Sequence, residues 1–127
     1  MIVVIDDERT FKNVWATKLV HLRTSQEAML FFAEWVTTTN FLPSGATEDI
    51  TDIYFYHDLG SASKHDGVIV AKQVALIRKY DPSCILDDCT FWCHSQNPVG
   101  ARNIQNVFES LDISCLLTAQ LPRLEPN

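Results

Sequence analysis

The stretch Ile2-Val3-Val4-Ile5-Asp6-Asp7-Glu8-Arg9 decides how this chain is read. Four consecutive apolar residues, all of them β-branched, are too short for a helix and lack the alternation of a strand with one wet face. An unbroken apolar strand belongs in the middle of a parallel sheet, covered on both sides. The run then stops abruptly in three acids and an arginine. In an open parallel sheet the reactive crevice lies beyond the carboxyl ends of the strands, so the acids stand where chemistry is done.

The same pattern recurs downstream. Ile53-Tyr54-Phe55-Tyr56 runs into His57-Asp58-Leu59-Gly60, and Cys89 to Cys93 runs into His94-Ser95-Gln96-Asn97. Leu19 to Leu22 is a candidate strand before these two, and Ile113 to Leu117 a candidate fifth. Between them lie helical signals. Thr24-Ser25-Gln26-Glu27 reads as a capping box with Thr24 at N-cap. Behind it Ala28, Phe31, Phe32, Trp35 and Val36 form one apolar stripe, and the Thr37-Thr38-Thr39-Asn40 run with Pro43-Ser44-Gly45 is expected to end that helix.

After a polar loop from Ser61 to His65, Asp66 is placed to cap a second helix carrying Val70, Ala71, Val74, Ala75 and Ile77. Asp81-Pro82 stops it. Asn97-Pro98 opens a third helix, with Asn at N-cap, Pro at N1 and a stripe of Ile104, Val107, Phe108 and Leu111. Residues 10–17 are expected to be a loop or a single turn, and the Pro-containing C-terminus to fray. Strands alternating with helices imply an α/β domain with a mostly parallel sheet of four to five strands and right-handed crossovers.

Composition sets outer bounds. The chain has 127 residues, 46% hydrophobic and 20% charged, enough apolar material for one core in one domain. A formal charge of −6 argues against a polymeric nucleic-acid partner, which calls for a basic face, but leaves room for a small phosphorylated ligand. No apolar run approaches the roughly 20 residues that cross a bilayer. The N-terminus has no basic signal-peptide region. A cytoplasmic protein is therefore expected. Cys84, Cys89, Cys93 and Cys115 are not spaced as a zinc ribbon or a redox pair; buried free thiols are expected.

The polar clusters at the strand ends carry the chemistry. Carboxylates brought together repel unless a cation or a proton is shared. Asp6 or Asp7 alone would be ordinary strand-end turn residues. With Asp58 ending another strand they form a hard-oxygen donor set suited to Mg²⁺ or Mn²⁺. The helix opening at Asn97, Val99 and Gly100 suits an anion, though the same residues could be a plain cap. His57 and His94 titrate near neutrality and suit proton transfer, or hold structure. Arg9 suits a phosphate, or pairs with Glu8 or Asp66. His21 and His65 have no such company and receive no role. Phe31, Phe32 and Trp35 are expected in the core.

Ile5-Asp6-Asp7-Glu8-Arg9, His57-Asp58-Leu59-Gly60 with Asp66-Gly67, and His94-Ser95-Gln96-Asn97-Pro98-Val99-Gly100 with Asn103 together resemble the cyclic-phosphate-processing receiver-like family, over roughly residues 1–111. The resemblance implies a divergent receiver fold, a flavodoxin-like three-layer domain. It also implies hydrolysis of a cyclic phosphate in a nucleotide or nucleotide-derived ligand. Asp58 would take the phosphoacceptor place of ordinary receivers, and Ser95 that of their Ser or Thr after the fourth strand. Ordinary receivers also carry a Lys after the fifth strand, and this chain has none beyond Lys79. Their first helix is cut short here. Both departures count against phosphorelay.

Three functions follow as expectations. The first is a metal-dependent phosphoesterase, with Asp6, Asp7 and Asp58 on the metal, Arg9, Asn97, Val99 and Gly100 on phosphate, and His94 or His57 as the acid. The second is a binder that sequesters a cyclic nucleotide without turnover. The third is a receiver phosphorylated on Asp58.

Overall fold

The computed structural model describes residues 1–6, 11–13, 18–41, 49–56, 67–81, 85–93, 98–118 and 124–126. In chain order these form β1 (Ile2–Ile5), β2 (Phe11–Asn13), β3 (Leu19–Leu22), α1 (Ser25–Phe41), β4 (Asp52–Phe55), α2 (Gly67–Tyr80), β5 (Thr90–Cys93), α3 (Pro98–Glu109), β6 (Cys115–Leu117) and β7 (Leu124–Pro126). Five strands make one sheet in the order β3-β1-β4-β5-β6, and every pairing in it is parallel. The domain is α/β with a receiver-like, flavodoxin-type strand order. No helix among the described residues is long and apolar enough to cross a membrane.

Strand alternation divides the core in two. Val3, Ile5, Ile53, Phe55, Phe91, Cys93 and Cys115 face the helices, which answer with Phe32 and Trp35, Val70 and Val74, and Ile104 and Phe108. Phe108 sits at the centre, its ring 4.8 Å from that of Phe91 and 5.4 Å from that of Phe55. Burying one such ring is worth about 1.5–3 kcal/mol. The other face is closed by Ile2, Val4 and Tyr54, with Leu19 and Trp92 against them, and among the described residues no helix residue joins that cluster. The sheet and one helical layer thus account for two of the three expected layers among the described residues. The double burial of β1 is why its sequence shows no alternation: all four residues are buried.

The helix starts follow the expected chemistry. The Thr24 hydroxyl accepts from the Glu27 N–H at 3.1 Å, and the first helical bond runs from Ala28 N–H to Thr24 O. α3 begins at Pro98, as an N1 proline requires. Asp66 and Asn97, the expected caps, lie outside the described residues. Phe32 and Trp35 are buried and Phe31 partly so, as core residues. Cys93 and Cys115 are buried, Cys89 is half-buried, and all three are free thiols; Cys84 lies outside the described residues.

α1 itself runs through the threonines to Phe41, between that run and Pro43-Ser44-Gly45, which lie outside the described residues. The Thr37 hydroxyl donates to the Ala33 carbonyl at 3.0 Å, so that side chain is satisfied without leaving the helix. Two local expectations are corrected. Residues 11–13 are neither loop nor turn but a strand. The C-terminal end holds a strand as well, because β2 and β7 pair antiparallel, with Phe11 opposite Pro126, Lys12 opposite Glu125 and Asn13 opposite Leu124. Neither strand has a local signal of its own; each exists because the other supplies its hydrogen bonds.

Candidate functional site

Parallel pairing puts five residues in one row: Leu22, Ile5, Phe55, Cys93 and Leu117. The chain leaves every strand at this row, on one side of the sheet. The first residue beyond three of the strands is still held to its neighbour. Asp6 N–H bonds Leu22 O, Tyr56 N–H bonds Ile5 O, and Thr118 N–H bonds Cys93 O, each at 3.0 Å. At three of the four strand junctions the pairing thus continues one residue past the row, and a carboxylate, an arginine, a tyrosine and a threonine begin there.

Asp6 is the chemical centre of the described part. It is fully buried, on the central strand β1. A carboxylate is costly to remove from water, and this one sits at the carboxyl end of a central parallel strand rather than in a solvated turn. Strand register brings His21 beside it: His21 lies opposite Val4, on the face that continues to Asp6. Burial pushes the His21 pKa down, and the positive charge of Arg23 adds to this. The Asp6 charge, a hydrogen bond to the Asp6 backbone and the Glu27 charge oppose it, and the net direction is down. His21 is thus neutral at pH 7, a polar wall beside the acid rather than a second cation.

α2 and α3 approach the same edge. Gly67 opens α2 directly against β4, where an added Cβ would collide with the Tyr56 carbonyl oxygen and stand 3.2 Å from Ile104 Cδ1. Glycine is the residue that lets α2 start this close to the strand end. α3 starts beyond β5 with Val99 exposed at 69% and Gly100 buried. A first turn of a 12-residue helix at this edge presents the positive end of its dipole toward the crevice.

Of the residues expected at the site, Asp6, Val99 and Gly100 are placed at this edge. Asp7, Arg9, His57, Asp58, His94 and Asn97 lie outside the described residues. In sequence they follow directly on Asp6, Tyr56 and Cys93, whose backbones are described. Among the described residues there is no group of three or more His, Cys, Asp or Glu that could hold a metal. Sequence reading missed His21, Arg23, Tyr56 and Thr118. His21 was given no company, yet it neighbours Asp6; only the β1–β3 register reveals that, since the two are 15 residues apart. An open depression of about 470 Å³ lies at the opposite edge, where α3 ends and β6 begins. Glu109 and Asp112 line it, and two acids repel a phosphate, so it stands apart from the site.

Compared with known families, the chain matches the Cyclic-phosphate processing Receiver domain over residues 1–110. Neither curated proteins nor solved structures yielded a match.

Proposed function

Because the chain belongs to the cyclic-phosphate processing receiver domain family, we propose that it is a metal-dependent phosphoesterase opening a cyclic phosphate in a nucleotide or nucleotide-derived ligand. The observation that supports this best is the buried Asp6 on the central strand of a carboxyl edge where five parallel strands end in one row. A fully buried hard-oxygen donor at that place fits a divalent cation. Asp6, Asp7 and Asp58 are the residues that would hold Mg²⁺ or Mn²⁺. The chemistry such an ion supplies when bound is Lewis-acid polarisation of a phosphoryl oxygen.

The chain's own residues do the rest. Arg9, Asn97 and the α3 start at Val99 and Gly100 bind the non-bridging phosphate oxygens. Hydrolysis forms one new P–O bond from water and breaks one ring P–O bond, so the departing ribose oxygen must gain a proton. His94 supplies it in this reading, and His57, next to Asp58 in sequence, orients the acidic group. Attack by water, or by Asp58 followed by water, gives the same phosphomonoester.

The test is a panel of cyclic nucleotides and cyclic phosphates, incubated with the protein with and without Mg²⁺ or Mn²⁺. A ring-opened monoester formed only with the metal is expected; tight binding with no product across the panel would replace hydrolysis by sequestration. In parallel, Mn²⁺ should raise the melting temperature, because a ligand of the native state stabilises it by mass action. Asp58→Asn keeps the shape and removes the charge, so it should abolish that rise. A rise of the same size in the variant would exclude Asp58 as a principal ligand.

A further inference from the structure

β3 is the edge strand beside β1, and Ile5 lies opposite Leu22, so one step further sets Arg23 opposite Asp6. Strand alternation decides the face. Leu22 points into the core under the helices, so Arg23 points to the other face, which carries Val4, His21 and Asp6. The charges of Arg23 and Asp6 both reach the His21 ring, the first disfavouring its protonation and the second favouring it. Among the described residues one step beyond the row of strand ends, Arg23, Asp6, Tyr56 and Thr118, only Arg23 is a cation. We infer that Arg23 forms an anion subsite on the β3 flank of Asp6 and takes a second phosphoryl group of the ligand, distinct from the ring phosphate.

Backbone anchoring makes the residue a fixed donor. Leu22 O accepts from the Asp6 N–H before it, Thr24 O accepts from the Ala28 N–H after it, and the Thr24 hydroxyl accepts from the Glu27 N–H. Arg23 itself is half-buried. A guanidinium carries five N–H donors in a planar fork, and a bidentate carboxylate takes two of them. Asp6 beside it therefore leaves donors for a phosphate. α1 begins at Ser25 and turns the positive end of a 17-residue helix to the same edge, offset in part by Glu27 in its first turn. The proposed ring-phosphate contacts at Val99 and Gly100 lie beyond β5. In the order β3-β1-β4-β5, three strand spacings separate the two flanks, roughly 14 Å between backbones. Asp6, with the metal it would hold, stands between them. A nucleotide with a phosphate at each end of its ribose meets both flanks.

This rests on the proposed cyclic-phosphate site, and the test separates the two. The probes are an adenosine cyclic phosphate closed across the ribose diol, with and without a second phosphate on the primary hydroxyl. Each is titrated calorimetrically, in the presence of Mg²⁺, into the wild type, Arg23→Gln and Arg23→Lys. A hydrogen bond to a charged group is worth roughly ten- to hundredfold in affinity, so the second phosphate should tighten binding to the wild type by that factor. Arg23→Gln should erase the gain and leave the affinity for the singly phosphorylated probe unchanged. Arg23→Lys keeps the charge but loses the fork, and should retain part of the gain. Equal affinity of the wild type for the two probes overturns the subsite. So does an Arg23→Gln variant that weakens both probes alike, the result expected of a residue that only holds structure or meets the ring phosphate. Binding of neither probe by the wild type overturns the cyclic-phosphate reading instead. Inorganic phosphate then decides the subsite: roughly tenfold or more weaker binding to Arg23→Gln sustains it, and equal affinities overturn it.

Discussion

At the residue scale, Gly67 shows how a position that looks dispensable sets the site. Replacing glycine by alanine at a helical position ordinarily stabilises by about 0.4–1 kcal/mol through the unfolded chain. Here the new methyl meets the Tyr56 carbonyl, a backbone atom that cannot swing aside. Overpacking of this kind costs about 1–3 kcal/mol, so the clash wins. Gly67→Ala should therefore lower the urea midpoint; a higher midpoint would mean that α2 can draw back from β4 at little cost. The two histidines give a second prediction at this scale. If His94 protonates the leaving oxygen, His94→Ala should cut turnover by about 10²–10⁴-fold with little loss of binding. A nitrophenyl leaving group, which needs no proton, should recover most of that loss. His57→Ala should not be recovered. Equal, unrescued losses in both variants would remove acid catalysis from the proposal.

At the scale of elements, helix ends are governed by hydrogen bonds that composition alone does not reveal. α1 passes through its threonines because Thr37 bonds back to Ala33. α3 stops differently. Ile113 N–H and Leu111 N–H both return to Phe108 O, and Asp112 sits between them at φ 59°, in the left-handed region. Asp112 is exposed, so its side chain buries nothing there. Asp112→Gly should raise stability by about 0.5–1 kcal/mol by relieving the left-handed cost. Chemical denaturation measures it, and a loss of stability would show that the aspartate contributes more than its backbone strain. Gln105 then ties the end of α3 to the sheet, its Nε2 donating to Cys115 O at 2.9 Å. β6 pairs with β5 in the register that puts Leu117 opposite Cys93, in the row of strand ends.

At the scale of the whole molecule, burial of the thiols couples the core to pH. Burial pushes the pKa of Cys89 and of Cys115 far up from the ordinary 9.0. The Asp52 charge adds to it at Cys89, and Cys93 and Glu109 add at Cys115. Below about pH 9 both folded and unfolded thiols hold their protons, and stability is unaffected. Above it the unfolded chain releases protons that the folded one keeps, so stability falls as pH rises. Urea midpoints measured between about pH 8 and pH 10.5 should decline, and less steeply in Cys115→Ala than in wild type. Equal slopes would show that the thiol is not shielded in the folded state. A thiol reagent at pH 8 should likewise label Cys115 only on unfolding.

The sequence by itself determined the parallel sheet, the helix starts at Thr24 and Pro98, the apolar stripes and the strand ends on which the acids and histidines follow. These are local matters: period, capping and turn chemistry act over a few residues. It also carried the three motifs by which the family was read. Only the tertiary structure decided that β2 and β7 exist, that His21 stands beside Asp6, and that Gly67 must lack a side chain. Each depends on a partner distant in the chain, 15 residues away for His21 and more than 100 for β2 and β7. Short strands with weak propensity form where another backbone offers its N–H and C=O groups, and no local pattern encodes where that backbone will be.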